Sequence, residues 1–169
     1  MPTTPASAPL RTAQKRFNLA CRSGWRNTTN KFHAGIDISA QDGTYVYNPT
    51  NSTCVTSGYD PTYGCGYYLV LETANNVYGS STKIRVLFQH LYEYPTTTNP
   101  YMIKQTSIPQ STIVARTGDT GSPGSFHLHY TIITDGSSVF QGGGYDQRTF
   151  DNTEQPLVFH PNKSFASYN

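Results

Sequence analysis

Short strand-like runs, each closed by Gly, Pro, Asn or Asp before it can lengthen, constrain the fold of this chain more than any other feature. Lys83 to His90 is the clearest. Ile84, Val86 and Phe88 fall on one side, and Arg85, Leu87 and Gln89 on the other, the period of two that a pleated strand imposes. Ala34 to Ser39, Thr44 to Tyr47, Ser52 to Thr56, Tyr67 to Glu72, Thr112 to Ala115, His127 to Ile133 and Ser138 to Gln141 read as further strands. Between them stand turn signals: Gln41-Asp42-Gly43, Asn48-Pro49, a hairpin-like connection over Asn75 to Ser80, the Gly-rich Gly118 to Ser125, and Asp135-Gly136. The succession predicts a mainly β fold with an antiparallel sheet core.

At 169 residues the chain has material for one domain with a real core. Residues 1–20, rich in Pro, Thr and Ala at their start, read as a flexible leader or linker, and residues 21–169 as the domain. Tyr92 to Gln110 carries three prolines and reads as a long loop of the kind that is often functional, and the tail from Gly142 reads as irregular. Charged residues are only 13%, against roughly 25% in an average globular chain, and the net charge is +2 with Lys and Arg scattered. No basic stripe suits a nucleic acid, and no apolar run approaches the ~20 residues of a membrane span. The N-terminus lacks the apolar centre of a signal peptide, so the expectation is a domain cut from a larger product or export by another route. Cys21, Cys54 and Cys65 show no Cys-x-x-Cys spacing. Cys54 and Cys65 flank a turn-rich stretch and can pair only if two antiparallel strands bring them together.

The five histidines carry the chemistry. In His127-Leu128-His129, strand alternation points both imidazoles to one side and Leu128 into the core. In His33-Ala34-Gly35-Ile36-Asp37, an extended backbone puts His33, Gly35 and Asp37 on one face and the apolar Ala34, Ile36 and Ile38 on the other, with Gly35 leaving space between the polar groups. Helical i, i+4 spacing would also align His33 with Asp37, but the glycine and β-branched neighbours favour the strand. Imidazole nitrogen and carboxylate oxygen are zinc ligands, and a catalytic zinc keeps three of them and an open position for water. Spacing alone leaves the three to be chosen from His33, Asp37, His90, His127 and His129. His160 reads as an exposed histidine near the C-terminus.

His33-Ala-Gly-Ile-Asp37, Phe88-Gln-His90-Leu91, and Gly118-Asp-Thr-Gly121 followed by His127-Leu-His129 occur in one order along the chain. They resemble, over roughly Gly24 to Val139, the lysostaphin-type (LytM-like) zinc endopeptidases of bacterial cell walls. The resemblance implies a small antiparallel sheet core whose loops wall a narrow groove with zinc at its floor. It makes His33, Asp37 and His129 the metal ligands, and His90 and His127 the catalytic pair that holds and deprotonates the zinc-bound water and steadies the oxyanion.

The implied function is a zinc metalloendopeptidase cutting peptide bonds of peptidoglycan, in a stem peptide or a cross-bridge. The expected setting is extracellular, at the cell wall or on a phage or secretion particle, with a peptidoglycan peptide as partner and the protein a monomer. A non-catalytic module that binds a wall peptide or a protein partner is the alternative, and it is disfavoured because all five positions are filled. Departures from the family pattern are Phe88 in place of a common Tyr, Pro123-Gly124-Ser125-Phe126 before His127, the absence of the acidic residue often found after the His-x-His strand, and the long Tyr92 to Gln110 loop. These touch specificity more than chemistry.

Overall fold

The computed structural model of the chain describes residues 9, 16–21, 24–26, 31–33, 35–62, 64–74, 83–92, 106–133, 153–154 and 164–166. The connection over 75–80, most of the 92–110 loop, the strand expected over 138–141, the tail from 142 outside two short strands, and His160 lie outside the described residues. Among the described residues the secondary structure is all β, and no helix is long and apolar enough to cross a membrane.

In chain order the strands are β1 (Arg16–Cys21), β2 (Gly24–Arg26), β3 (Lys31–His33), β4 (Ile36–Ser39), β5 (Tyr45–Tyr47), β6 (Ser52–Asp60) and β7 (Gly66–Thr73). They continue with β8 (Arg85–Leu91), β9 (Ser107–Ile108), β10 (Ile113–Arg116), β11 (His127–Ile133), β12 (Thr153–Glu154) and β13 (Ser164–Ala166). The main sheet runs β13-β1-β4-β11-β8-β7-β6-β9, with β12 also paired to β11. Its pairings are antiparallel except β1 with β13. Two small sheets, β10-β5 and β2-β3, complete the described fold. Arg16 to Ala20, assigned from the sequence to the leader, therefore stand in a strand of the main sheet. Ser107–Ile108, inside the expected loop, pairs with the start of β6.

Alternation gives the sheet two unlike faces. On one, Ile36 and Ile38 of β4, Leu128, Tyr130 and Ile132 of β11, Val86 and Phe88 of β8, and Leu69 and Leu71 of β7 join one buried cluster. Val46 of β5 and Val114 of β10 close over it, so the small β5–β10 sheet is its lid. Each such side chain contributes roughly 1.5–3 kcal/mol by leaving water. On the other face Val70, Leu87 and Ile133 form a smaller cluster. The same side of β11 then runs on from Ile133 through Thr131 and His129 to His127, from apolar to polar.

The Gln41-Asp42-Gly43 turn forms, with Thr44 N donating to Gln41 O at 3.2 Å and Gly43 at φ +73°. Cys54 and Cys65 are buried thiols and are not bridged to each other. Cys54 lies near one end of the β6–β7 ladder, whereas Cys65 adjoins Gly66, which pairs with Asp60 at the other end. Six strand residues separate those levels by about 20 Å, and a disulfide needs Cα atoms within about 7 Å. Burial pushes the Cys54 thiol up to about 11. Burial, then a hydrogen bond and the charge of Asp60, pushes Cys65 further in the same direction.

Candidate active site

The polar stretch of β11 forms the floor of a cleft of about 390 Å³, flanked by β4 on one side and β8 on the other. Register does the placing. His129 lies directly opposite Asp37 on β4 and opposite Gln89 on β8, and His127 lies opposite Ser39. Directly opposed residues share a face with their Cβ atoms about 5 Å apart, so Asp37, His129 and Gln89 form one row across the cleft floor. His33 enters from the end of β3, a short step before β4 begins.

Three ligand-type atoms converge. Asp37 Oδ1 lies 2.8 Å from His129 Nδ1 and 3.0 Å from His33 Nε2, and those two nitrogens are 3.1 Å apart. All three residues are buried. Ligands about 2.0–2.1 Å from a tetrahedral zinc stand about 3.3 Å from one another, so a small adjustment separates this triangle from a coordination triangle. The donor set also fits a cation chemically. Two imidazole nitrogens and a carboxylate oxygen all face one point, and a ring nitrogen directs one lone pair or one N–H, so protons alone cannot serve every edge of the triangle. Burial by itself raises the Asp37 pKa, but hydrogen bonds from His129 and His33 and their charge outweigh it and hold the carboxylate ionised far below the usual range. Burial, opposed by the hydrogen bond and charge of Asp37, pushes the His129 pKa down, the direction that favours the neutral ring a ligand must be.

His90 reaches the cleft by an irregularity. Strict alternation from Phe88 would send His90 to the core face. Instead β8 uses three residues from Phe88 to Leu91 where β7 uses two from Leu69 to Tyr67. This β-bulge returns Leu91 to the core cluster beside Phe88 and leaves both Gln89 and His90 on the cleft side. His90 takes up the extra residue with φ +59°, a left-handed conformation that costs a non-glycine residue roughly 1–2 kcal/mol. Both of its backbone groups are pinned, with its N–H donating to Cys65 O at 3.0 Å and its carbonyl accepting from Gly118 N at 2.9 Å.

Backbone carbonyls set the remaining rings. His90 Nδ1–H donates to Thr120 O at 2.8 Å, and His127 Nδ1–H donates to Ser125 O at 2.7 Å. Each ring therefore keeps its Nε2 lone pair for the cleft, where the two rings lie 4.5 Å apart and His127 Nε2 is 3.7 Å from Asp37 Oδ1. Burial, opposed by the Thr120 hydrogen bond, pushes the His90 pKa down from 6.5 to about 4. Thr120 is a keystone of this wall: its hydroxyl donates to Leu91 O and accepts from Tyr67 N. Its neighbour Gly121, at φ +75°, presses so closely on Gly64 and Gly66 that no Cβ would fit. Thus the structure brings together all five residues singled out from the sequence. It adds Gln89 and Thr120, which lie inside the quoted motifs without being assigned a role there, and Thr131, which lies outside them. The local signal for Thr131 is that it is the next same-face residue after His129.

The model for peptidase family M23 matches residues 31–141, which span both histidine motifs and the His90 strand. The chain belongs to peptidase family M23. The fold of this M23 domain is similar to that of the catalytic domain of lysostaphin, an antimicrobial peptidase from Staphylococcus simulans. There the TM-score is 0.63 at 19% identity, covering 85% of this chain and 91% of that one. It is likewise similar to the catalytic domain, in a point-mutant form, of the prophage-encoded M23 protein EnpA from Enterococcus faecalis. In that case the TM-score is 0.61 at 17% identity, covering 89% and 95% of the two chains. A zinc-containing peptidase from Vibrio cholerae shares the fold at TM-score 0.57 and 20% identity, over 75% of this chain and 36% of that one. No curated protein matches the sequence significantly.

Proposed function

We propose that this M23 domain is a zinc metalloendopeptidase that hydrolyses peptide bonds of bacterial peptidoglycan, with His33, Asp37 and His129 as ligands and His90 and His127 as the catalytic pair. The observation that carries the reading is the convergence of His33 Nε2, Asp37 Oδ1 and His129 Nδ1 within about 3 Å at the floor of a cleft, with two further Nε2 lone pairs turned towards it. Zinc held there supplies a Lewis acid that polarises a carbonyl and makes water acidic enough to attack near neutral pH.

The chain's own residues do the rest. Asp37 and the two neutral ligand rings offer one negative charge to the cation. His90 and His127, with Nδ1–H already committed to carbonyls, can receive at Nε2 only the proton that the attacking water gives up. Once protonated, either Nε2–H donates a hydrogen bond to the developing oxyanion and then returns the proton to the leaving amine. A ring that serves only to bind a wall peptide has no need of two neighbouring bases with their tautomers fixed in this way. The fold neighbours that act as antimicrobial or prophage-encoded peptidases support an extracellular or phage-borne setting.

Metal analysis of the purified protein, together with digestion of cell walls that differ in bridge chemistry, tests the reading. One equivalent of zinc and release of free amino groups from at least one wall are expected. A zinc-free protein that releases nothing from any wall sinks it.

A further inference from the structure

On the cleft face of β11, the residue after the proposed ligand His129 is Thr131, and the two touch. His129 Nε2 and Thr131 Oγ1 are 2.9 Å apart, and both residues are almost fully buried, at 3% and 2% exposure. Since Nδ1 of the same ring faces Asp37 and His33, the ring is gripped at both nitrogens and cannot turn. Gly35 closes the contact from above. A Cβ on Gly35 would stand 2.6 Å from Thr131 Oγ1 and 3.1 Å from His129 Nε2, so only a glycine lets the β3–β4 connection lie against this pair.

We propose that Thr131 is a positioning residue for the metal centre: its hydroxyl fixes His129 so that Nδ1 presents its lone pair to the ion. This rests on the ligand assignment made above. When Nδ1 coordinates, the proton of the neutral ring sits on Nε2, and Thr131 Oγ1 accepts it. When the metal is absent, Nδ1–H donates to Asp37 Oδ1, and the hydroxyl rotates to donate to the bare Nε2. A carboxylate at this place could only accept, and so would hold the ring in one protonation pattern. A hydroxyl serves both, and it adds no negative charge beside that of Asp37. Partners of this kind behind a ligating imidazole change metal affinity by about 10–100-fold when removed.

The test compares Thr131→Val, which keeps the shape and loses the hydroxyl, with Thr131→Ser, which keeps the hydroxyl. Zinc affinity is read by competition with a chromogenic chelator, and the His129 ring by its imidazole ¹⁵N shifts with and without zinc. Thr131→Val should bind zinc about 10–100-fold more weakly than the parent, and Thr131→Ser within about threefold of it. In the parent, zinc should move the His129 proton from Nδ1 to Nε2. If Thr131→Val does not fold, Thr131→Ala is read in the same way. Zinc binding by Thr131→Val equal to that of the parent overturns the inference, because the hydroxyl would then be dispensable; loss in Thr131→Ser as large as in Thr131→Val overturns it too, because packing rather than the hydroxyl would then matter. A parent protein that binds no zinc, or whose zinc survives His129→Ala, overturns the ligand assignment itself and is distinguishable from both.

Discussion

His129 and His90 face one cleft from adjacent strands and arrive there by opposite means. His129 follows the rule of its strand: Leu128 and Tyr130 go to the core, and His127, His129 and Thr131 to the cleft, without a break. His90 breaks the rule of its strand, held at φ +59° in a bulge that Cys65 and Gly118 clamp from either side. Regular alternation costs nothing locally and sets a row of side chains. A bulge costs local strain and sets a single one, which suits a group that must approach the row from beside it.

The two residues separate most widely in chemistry. His129→Ala should lose stoichiometric zinc and activity together, whereas His90→Ala should keep the zinc and lose about 10²–10⁴-fold in turnover, measured by metal analysis and wall digestion on the same preparations. Zinc lost from His90→Ala would erase the distinction.

The row depends on close approach of the chain entering β4. Gly35→Ala puts a Cβ 2.5 Å from Tyr130 O and 2.6 Å from Thr131 Oγ1, both on the strand it packs against. A destabilisation of about 3 kcal/mol, the upper end for overpacking, is expected in chemical denaturation. An Ala variant as stable as the parent would show that the strand can move aside.

Acid should act through His90. Its pKa falls in the folded protein from 6.5 to about 4, first because it is buried. Below 6.5 the unfolded chain takes up a proton that the folded chain refuses, so stability drops as pH falls through that window and levels off below about 4. At about 1.4 kcal/mol per pH unit the ceiling is near 3 kcal/mol, and a loss of about 2 kcal/mol is expected for the metal-free protein. His90→Gln should flatten the curve between pH 6.5 and 4, and an unchanged curve would assign the acid sensitivity to other groups.

The smallest effect is the sharpest on backbone. At His129 an Ala variant should be more stable than a Gly variant by about 0.5–1 kcal/mol, as in any strand interior. At His90 the order should reverse by about 1 kcal/mol, because Gly accepts φ +59° and Ala does not. The same order at both sites would argue against a left-handed His90 in solution.

Much of this site is legible along the chain. The spacing in His33 to Asp37 and in His127 to His129 marks two polar pairs on apolar strands, and every strand expected within the described residues is present, with ends displaced by a few positions. What local pattern left open was the choice between His127 and His129, since both share a face. Pairing adds an observation that supports the proposed choice: β4 lies beside β11 in the register that sets Asp37 opposite His129 and Ser39 opposite His127. The strand at Arg16–Cys21 escaped notice because its Pro- and Thr-rich approach reads as a leader and its partners, Ile38 and Ser164 among them, are distant in sequence.

By itself, then, the sequence determined which side chains share a face, because a period of two is a local property of an extended backbone. It also carried the turn at Asp42-Gly43 and the residue types that suit zinc. Only the tertiary structure decided which faces meet. The row Asp37–His129–Gln89 exists because three strands far apart in the chain align in one register, and His90 joins it through a bulge whose extra residue has meaning only against β7. Register and bulges are relations between strands, stabilised by non-local hydrogen bonds, and no single strand encodes them alone.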